Sequence, residues 1–181
     1  MKKSLKAARV VISPLRAADI EACAEIVGGD PLWQRYGMTR ALARRVFQRT
    51  LVAGRSRGWV ARVTGEVSVA RQAGRVVGFI WFRLDGTFHH SGYVRWIAVA
   101  PKARGRGVGE RLMRYAEDRI FRWGPNVYLL VSDFNVRAQA FYSRLGYMKA
   151  GALPDYVVKG ITERLYRKTR GPILNQRRRE Q

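Results

Sequence analysis

Three glycines at alternate positions, Gly105, Gly107 and Gly109, carry the first chemical signal in this chain. Glycine lets backbone N–H groups turn toward one point, and it lets a ligand approach without meeting a Cβ atom. The free N–H groups and dipole of a following helix favour an anion at the same place. Arg104 and Arg106 alternate with the glycines, Val108 and Glu110 complete the segment, and Pro101 fixes the exit from the run before it. This pattern predicts a phosphate or pyrophosphate ligand rather than a plain solvent turn. Two other phosphate loops are excluded by the residues present. A Walker loop needs Gly-Lys-Ser/Thr where Val108-Gly109-Glu110 stands, and a dinucleotide fingerprint needs glycine at position 110.

The elements that must position this loop are legible around it. Tyr93 to Ala100 is apolar or aromatic except for Arg95, which predicts a strand buried on both faces and stopped by Pro101. Leu112, Met113, Ala116, Ile120 and Trp123 recur at helical spacing directly behind the glycines. Asn126 to Val131 predicts a second buried strand, and a right-handed crossover through the helix makes the two strands parallel neighbours. Asn135 is placed to cap a further helix through Ala138, Phe141, Tyr142 and Leu145, with Gly146 at its left-handed end.

Two ordered segments make the resemblance specific. Val99 to Gly109, V-A-P-x-x-R-G-R-G-V-G, resembles the acyl-CoA pyrophosphate loop of the GNAT superfamily of N-acyltransferases. Asn135, Ala138, Phe141-Tyr142 and Gly146-Tyr147 then resemble that family's Asn-x-x-Ala-x-x-Phe-Tyr-x-x-x-Gly-Phe/Tyr segment. The resemblance implies an α/β (α+β) GNAT fold: a mixed, mostly antiparallel twisted sheet of six to seven strands with a splayed parallel pair, flanked by about four helices. It implies acetyl-CoA as co-substrate, no metal, and an amine acceptor that attacks the thioester directly. Residues 104–110 would cradle the diphosphate, Ile97, Ala98 and Val99 would bond the pantetheine arm as an added strand does, and the Val99 N–H would meet the developing oxyanion. Tyr142 matches the family's acid for the leaving thiolate, whose ordinary pKa is ~8.5. Asn135 would contact the pantetheine arm beside its capping role. The helices before residue 54 would border the acceptor pocket, which makes Trp33 and Tyr36, with Tyr156, the candidate acceptor contacts.

The base is missing from the expected places. Tyr93 to Trp96 offers no carboxylate, and related peptide N-terminal acetyltransferases place glutamate five residues before the asparagine, where this chain has Leu130. An α-amine, with pKa ~7.7–8.0, needs less help to lose its proton than a lysine at ~10.4. The departure counts against those ribosomal-protein N-terminal enzymes, and it favours an α-amine, a less basic amine or deprotonation through water, with Asp133, Asp155, Tyr156 and His90 left as candidate bases.

Composition frames these readings. A chain of 181 residues suits one domain, with a core over about 10–170 and basic ends. No apolar run approaches the ~20 residues that span a bilayer, and Val10 to Ile12 is too brief for a secretory signal, so a cytoplasmic protein is expected. The single cysteine, Cys23, lies in an apolar helix and is expected to pack as a small hydrophobe. His89 and His90 share a loop, and the thiol and histidine spacing holds no metal motif. The net charge of +22 is uneven, since no acid stands between Asp30 and Glu66 or between Asp85 and Glu110. Such stretches concentrate anions and repel polycations, which disfavours aminoglycoside or polyamine acceptors. Two alternatives stay open: a non-catalytic basic module that binds nucleic acid or the ribosome without a reader motif, and a CoA-binding regulator. A homodimer is compatible with all three.

The remaining chain predicts an edge strand at Val10 to Leu15, a helix from Asp19 to Gly28-Gly29, a second helical segment from Asp30, and a helix capped by Thr39. In that last helix Leu42, Val46, Phe47 and Leu51 read as one apolar stripe. Trp59 to Val63 reads as an additional strand. Glu66 to Ala70 and Arg75 to Leu84 read as a hairpin about Ala73-Gly74, ended by Asp85-Gly86. Tyr147 to Ala150 and Thr162 to Lys168 close the sheet, and Gln176 to Gln181 forms a basic tail.

Overall fold

Apolar runs become the inner strands of one sheet, and shorter or wetter runs its edges. In the computed structural model, which describes residues 9–54, 65–88 and 90–175, the strands are β1 (Val11–Pro14), β2 (Glu66–Gln72), β3 (Arg75–Thr87), β4 (Ser91–Val99), β5 (Asn126–Ser132), β6 (Met148–Pro154) and β7 (Thr162–Thr169). They lie side by side in the order β1-β2-β3-β4-β5-β7-β6, antiparallel except for the parallel neighbours β4 and β5. The described helices are α1 (Ile20–Gly28), α2 (Pro31–Gln34), α3 (Arg40–Gly54), α4 (Val108–Trp123) and α5 (Val136–Arg144).

Each face of the sheet has its own core. Val67, Val69, Phe79 and Trp81 pack with Cys23, Ala24 and Val27 of α1 and with Ala43 and Phe47 of α3. Ile80, Phe82 and Val127 pack with Leu112, Met113, Ala116 and Ile120 of α4. Full burial of each of these large side chains contributes about 1.5–3 kcal/mol, so the two clusters fix the sheet between its helices. Cys23 is fully buried as expected, and burial first, then the Asp19 charge, pushes its thiol up to about 12.

One irregularity matters for function. The parallel pair β4 and β5 meets over three rungs, Gly92 with Val127, Tyr93 with Tyr128, and Val94 with Leu129. At that point β4 carries a bulge: Trp81 faces Trp96 and Phe82 faces Val94, so Arg95 has no residue opposite. A bulge bends and twists its strand. It also reverses the alternation, because Val94 joins the α4-side core whereas Trp96 and Ala98 join the α1 and α3 side. Beyond it β4 continues with β3 while β5 continues with β7, Leu130 facing Leu165 and Ser132 facing Glu163. The two strands part.

Several expectations need correction. In α3 the expected Val46, Phe47 and Leu51 do pack on the core, joined by Ala43 and Thr50, whereas Leu42 is exposed; Thr39 caps the helix by accepting the Leu42 N–H. β3 does not stop at Asp85-Gly86 but runs to Thr87, because β4 begins at Ser91 and the pair Thr87–Ser91 continues the ladder. β6 starts at Met148 and takes in Leu153 and Pro154, which pair with Glu163 and Thr162; Tyr147 turns into the core instead. The helical segment expected from Asp30 is present as the single turn α2, begun by Pro31 after Asp30 accepts the Leu32 N–H at 3.0 Å. The Ala73-Gly74 turn, with φ of 49° and 76°, and the left-handed Gly146 stand as expected. Trp59 to Val63, His89 and the terminal tail lie outside the described residues.

Candidate active site

The glycine loop leaves β4 through a single 3-10 turn, Pro101–Ala103, and enters α4 at Val108. Gly105 and Gly107 hold φ of +73° and +76°, and a Cβ added to either would meet nothing within 4 Å. Their conformation, not crowding, is what asks for glycine. The loop thus delivers the first turn of α4, with its unpaired N–H groups, to an open cavity of about 910 Å³. Gly105, Gly107, Val108, Gly109 and Glu110 all line it; Arg106 is exposed and does not. Arg104 also lines the cavity, where its guanidinium donates to the Val99 carbonyl (3.0 Å) and pairs with Asp30 (2.5 Å). Glu110 accepts from Arg114 one turn on, at 2.7 Å.

From the loop the cavity follows the gap between the parted strands. Ile97, Ala98 and Val99 form one wall and α5 the other, with Phe141 and Tyr142. The Ala100 N–H donates back to Val77 in β3 (2.9 Å), so by strand alternation the N–H and C=O of Val99 and the N–H of Ile97 point the other way, into the gap. Asn135 caps α5 by accepting the Ala138 N–H (3.1 Å) and also lines the cavity. Tyr142 is buried among Phe141, Tyr147 and Tyr166. Burial first, and the Tyr93 charge second, raise its phenol well above the ordinary range, so it holds its proton at neutral pH.

An anion cradle joined to a slot of free strand N–H groups is the geometry a long phosphorylated thioester needs. Comparison with known proteins decides the matter, because residues 31–147 match the Acetyltransferase (GNAT) family. The chain belongs to the GNAT acetyltransferase family. It is therefore an acetyltransferase, and acetyl-CoA is its co-substrate. N-alpha-acetyltransferase RimI of Mycobacterium tuberculosis is 32% identical over 153 residues, 81% of this chain and 84% of that protein. An uncharacterised N-acetyltransferase of Methanocaldococcus jannaschii is 35% identical over 94 residues, 51% of this chain and 58% of that relative's length. Among solved structures, the ribosomal-protein-S18-alanine N-acetyltransferase of Escherichia coli superposes with a TM-score of 0.64 at 18% identity, covering 89% of this chain and 94% of that one. At such identity the likeness concerns the fold.

Within this GNAT chain the three candidate acceptor contacts separate. Trp33 packs edge-on against Trp96, with centroids 4.9 Å apart, in the core cluster under α1 and α3. Tyr156 is 63% exposed between β6 and β7. Tyr36 reaches across to the far end of β5, where its hydroxyl meets Ser132 Oγ and donates to Glu163 Oε1 at 2.5 Å. Burial first, then the bond to Glu163, pushes the Tyr36 phenol up to about 12. Glu163 was not among the candidates read from the sequence. Its one signal there is to be the lone acid in Thr162–Thr169, TERLYRKT; only the β5–β7 register sets it opposite Ser132. Asp30, Arg35, Phe134 and Arg137, which also line the cavity, carry no spacing that singles them out.

Proposed function

We propose that this GNAT acetyltransferase moves the acetyl group of acetyl-CoA to a primary amine by direct attack within a complex that holds both substrates, and that the acceptor is the α-amine at a polypeptide N-terminus. One observation carries the reading: β4 and β5 part after three rungs, and the gap runs unbroken from the glycine loop to Tyr142. Acetyl-CoA supplies the activated acyl thioester. The α4 N-terminus and the loop N–H groups hold its diphosphate, and Ile97 and Val99 hold the pantetheine arm as an edge strand holds a peptide. The Val99 N–H, fixed by the β3 ladder, stabilises negative charge on the reacting carbonyl oxygen. Tyr142, kept protonated by burial, gives a proton to the departing sulfur. Asn135 keeps α5, and so Tyr142, in place through its cap.

The α-amine is favoured on two counts. The M. tuberculosis relative is named for N-alpha acetylation and matches over most of both chains. An α-amine with pKa ~7.7–8.0 is also partly neutral in water at physiological pH.

The test is thiol release from acetyl-CoA over a panel of peptides with free N-termini, N-blocked peptides containing lysine, and small amines, with mass spectrometry to locate the acetyl group. Acetylation at free N-termini is expected. Tight acetyl-CoA binding with release to none of the amines would overturn the reading, and transfer confined to lysine side chains would overturn the choice of acceptor.

A further inference from the structure

Glu163 is 4% exposed at the start of β7. Burying a carboxylate is costly unless a cation or several hydrogen bonds compensate it. Elsewhere the chain follows that rule: Asp19 meets Arg71, Asp30 meets Arg104 and Glu117 meets Lys168. Among the described residues no lysine or arginine pairs with Glu163, although the chain carries a net charge of +22. The adjacent Arg164 turns its guanidinium to Gln139 Oε1 at 3.1 Å. What Glu163 has is a neutral holder. Tyr36 has one proton and donates it to Oε1, so Ser132 must donate to the Tyr36 oxygen.

The place is as telling as the missing cation. Ser132 and Glu163 are cross-strand partners at the end of β5, beyond the last rung that β5 shares with β4. The carboxylate and the two tyrosines whose phenols it acts on draw their neighbours from four elements: Tyr36 after α2, Ser132 and Asp133 at the end of β5, Tyr93 on β4, and Tyr156 between β6 and β7. On the Tyr93 phenol burial acts first, and the Tyr156, Arg95 and Glu163 charges after it. All but Asp133 and Arg95 are neutral at pH 7 in their ordinary state. A buried anion held by one phenol and that phenol's serine partner, where β5 has left β4, lacks only a small cation.

We propose that Glu163, held by Tyr36 and Ser132, binds the ammonium form of the acceptor and takes its proton before attack. The assignment rests on the acetyl-transfer reading above, and it supplies the carboxylate that β4 and Leu130 do not. Glu163 accepts one proton from the ammonium and leaves a neutral amine. The amine nitrogen forms a bond to the thioester carbonyl carbon, and the carbon–sulfur bond breaks with its electron pair going to sulfur. Tyr142 protonates that sulfur and recovers a proton from the new amide nitrogen. Glu163 then releases its proton to solvent, so one ammonium and one thioester give one amide, one thiol and one proton.

The experiment uses the full chain, an N-terminally free octapeptide and saturating acetyl-CoA, with kcat/KM for the peptide measured from pH 6 to 9 in parent and Glu163→Gln. CoA affinity is expected to stay within about twofold, while kcat/KM at pH 7 falls about 100-fold. The variant should depend on amine that is already neutral, so its kcat/KM should climb about tenfold per pH unit toward the acceptor's own pKa near ~8, where the parent profile is flatter. A loss of equal factor at every pH, or none, overturns the assignment. Should Glu163→Gln fail to fold, Glu163→Asp keeps a carboxylate: a reduced rate with the parent's profile supports the role, and a profile that climbs with the acceptor's ionisation refutes it. A parent that binds acetyl-CoA but acetylates no amine overturns the transfer reading itself, and this assignment with it.

Discussion

Replacing Gly107 with leucine separates the cost of strain from the loss of a ligand. Gly107 holds φ +76° immediately before α4, and a Cβ there meets nothing within 4 Å. Folding therefore bears only the left-handed backbone, about 1–2 kcal/mol for a residue with a side chain. For a chain of this size that lowers Tm by about 2–8 °C. Ligand binding bears more, because Gly107 lines the cavity at the anion end. A leucine side chain in that space, displacing two charge-assisted N–H bonds worth about 1.5–3 kcal/mol each, removes about 3–6 kcal/mol of affinity. That corresponds to about two to four orders of magnitude in Kd for CoA. Gly74 supplies the control: it has the same φ of +76° and the same open space, but sits in the β2–β3 turn. Calorimetric titration with CoA and a thermal melt on Gly107→Leu, Gly74→Leu and the parent give the result. Both variants should melt lower, and Gly107→Leu alone should lose CoA. Parent-like affinity in Gly107→Leu at the expected Tm would refute the phosphate-loop assignment.

Three further outcomes are expected. Tyr142→Phe keeps the buried ring and loses the proton donor, so kcat should drop about 100-fold with CoA affinity nearly unchanged, and equal turnover would remove Tyr142 from the mechanism. Gly92→Ala should destabilise the fold by about 1–3 kcal/mol, because a Cβ there would clash with the Ile120 side chain of α4; a denaturant midpoint equal to the parent's would contradict that packing. Burial is the first cause that pushes Tyr36 and Tyr93 up to about 12. A folded pKa above the ordinary ~10 means that these phenols stabilise the fold fully below pH about 10 and cease to do so as pH rises through about 12. Near-ultraviolet titration should find tyrosines that stay protonated at pH about 11 until the chain unfolds, whereas uniform ionisation near pH about 10 would refute it.

The local chemistry of the chain was readable because it depends on neighbours in sequence. Positive φ at alternate positions asks for Gly105 and Gly107 wherever the loop goes, an asparagine three residues before Ala138 caps a helix by itself, and apolar runs with no wet face must be inner strands. From these the order strand, loop, helix, strand and helix followed, with the position of Tyr142. What depends on register between distant strands was not readable. The parting of β4 from β5 was expected only through the family resemblance, and the bulge at Arg95 that accompanies it arises from how β3 pairs with β4. Glu163 shows the difference most clearly. Side-chain period places it on one face of β7, but Ser132 lies 31 residues earlier and Tyr36 lies 127 residues away. Periodicity carries no term for the pairing of two strands, and the folded sheet alone brings that carboxylate opposite Ser132 and within reach of Tyr36, beyond the last rung of β4 and β5.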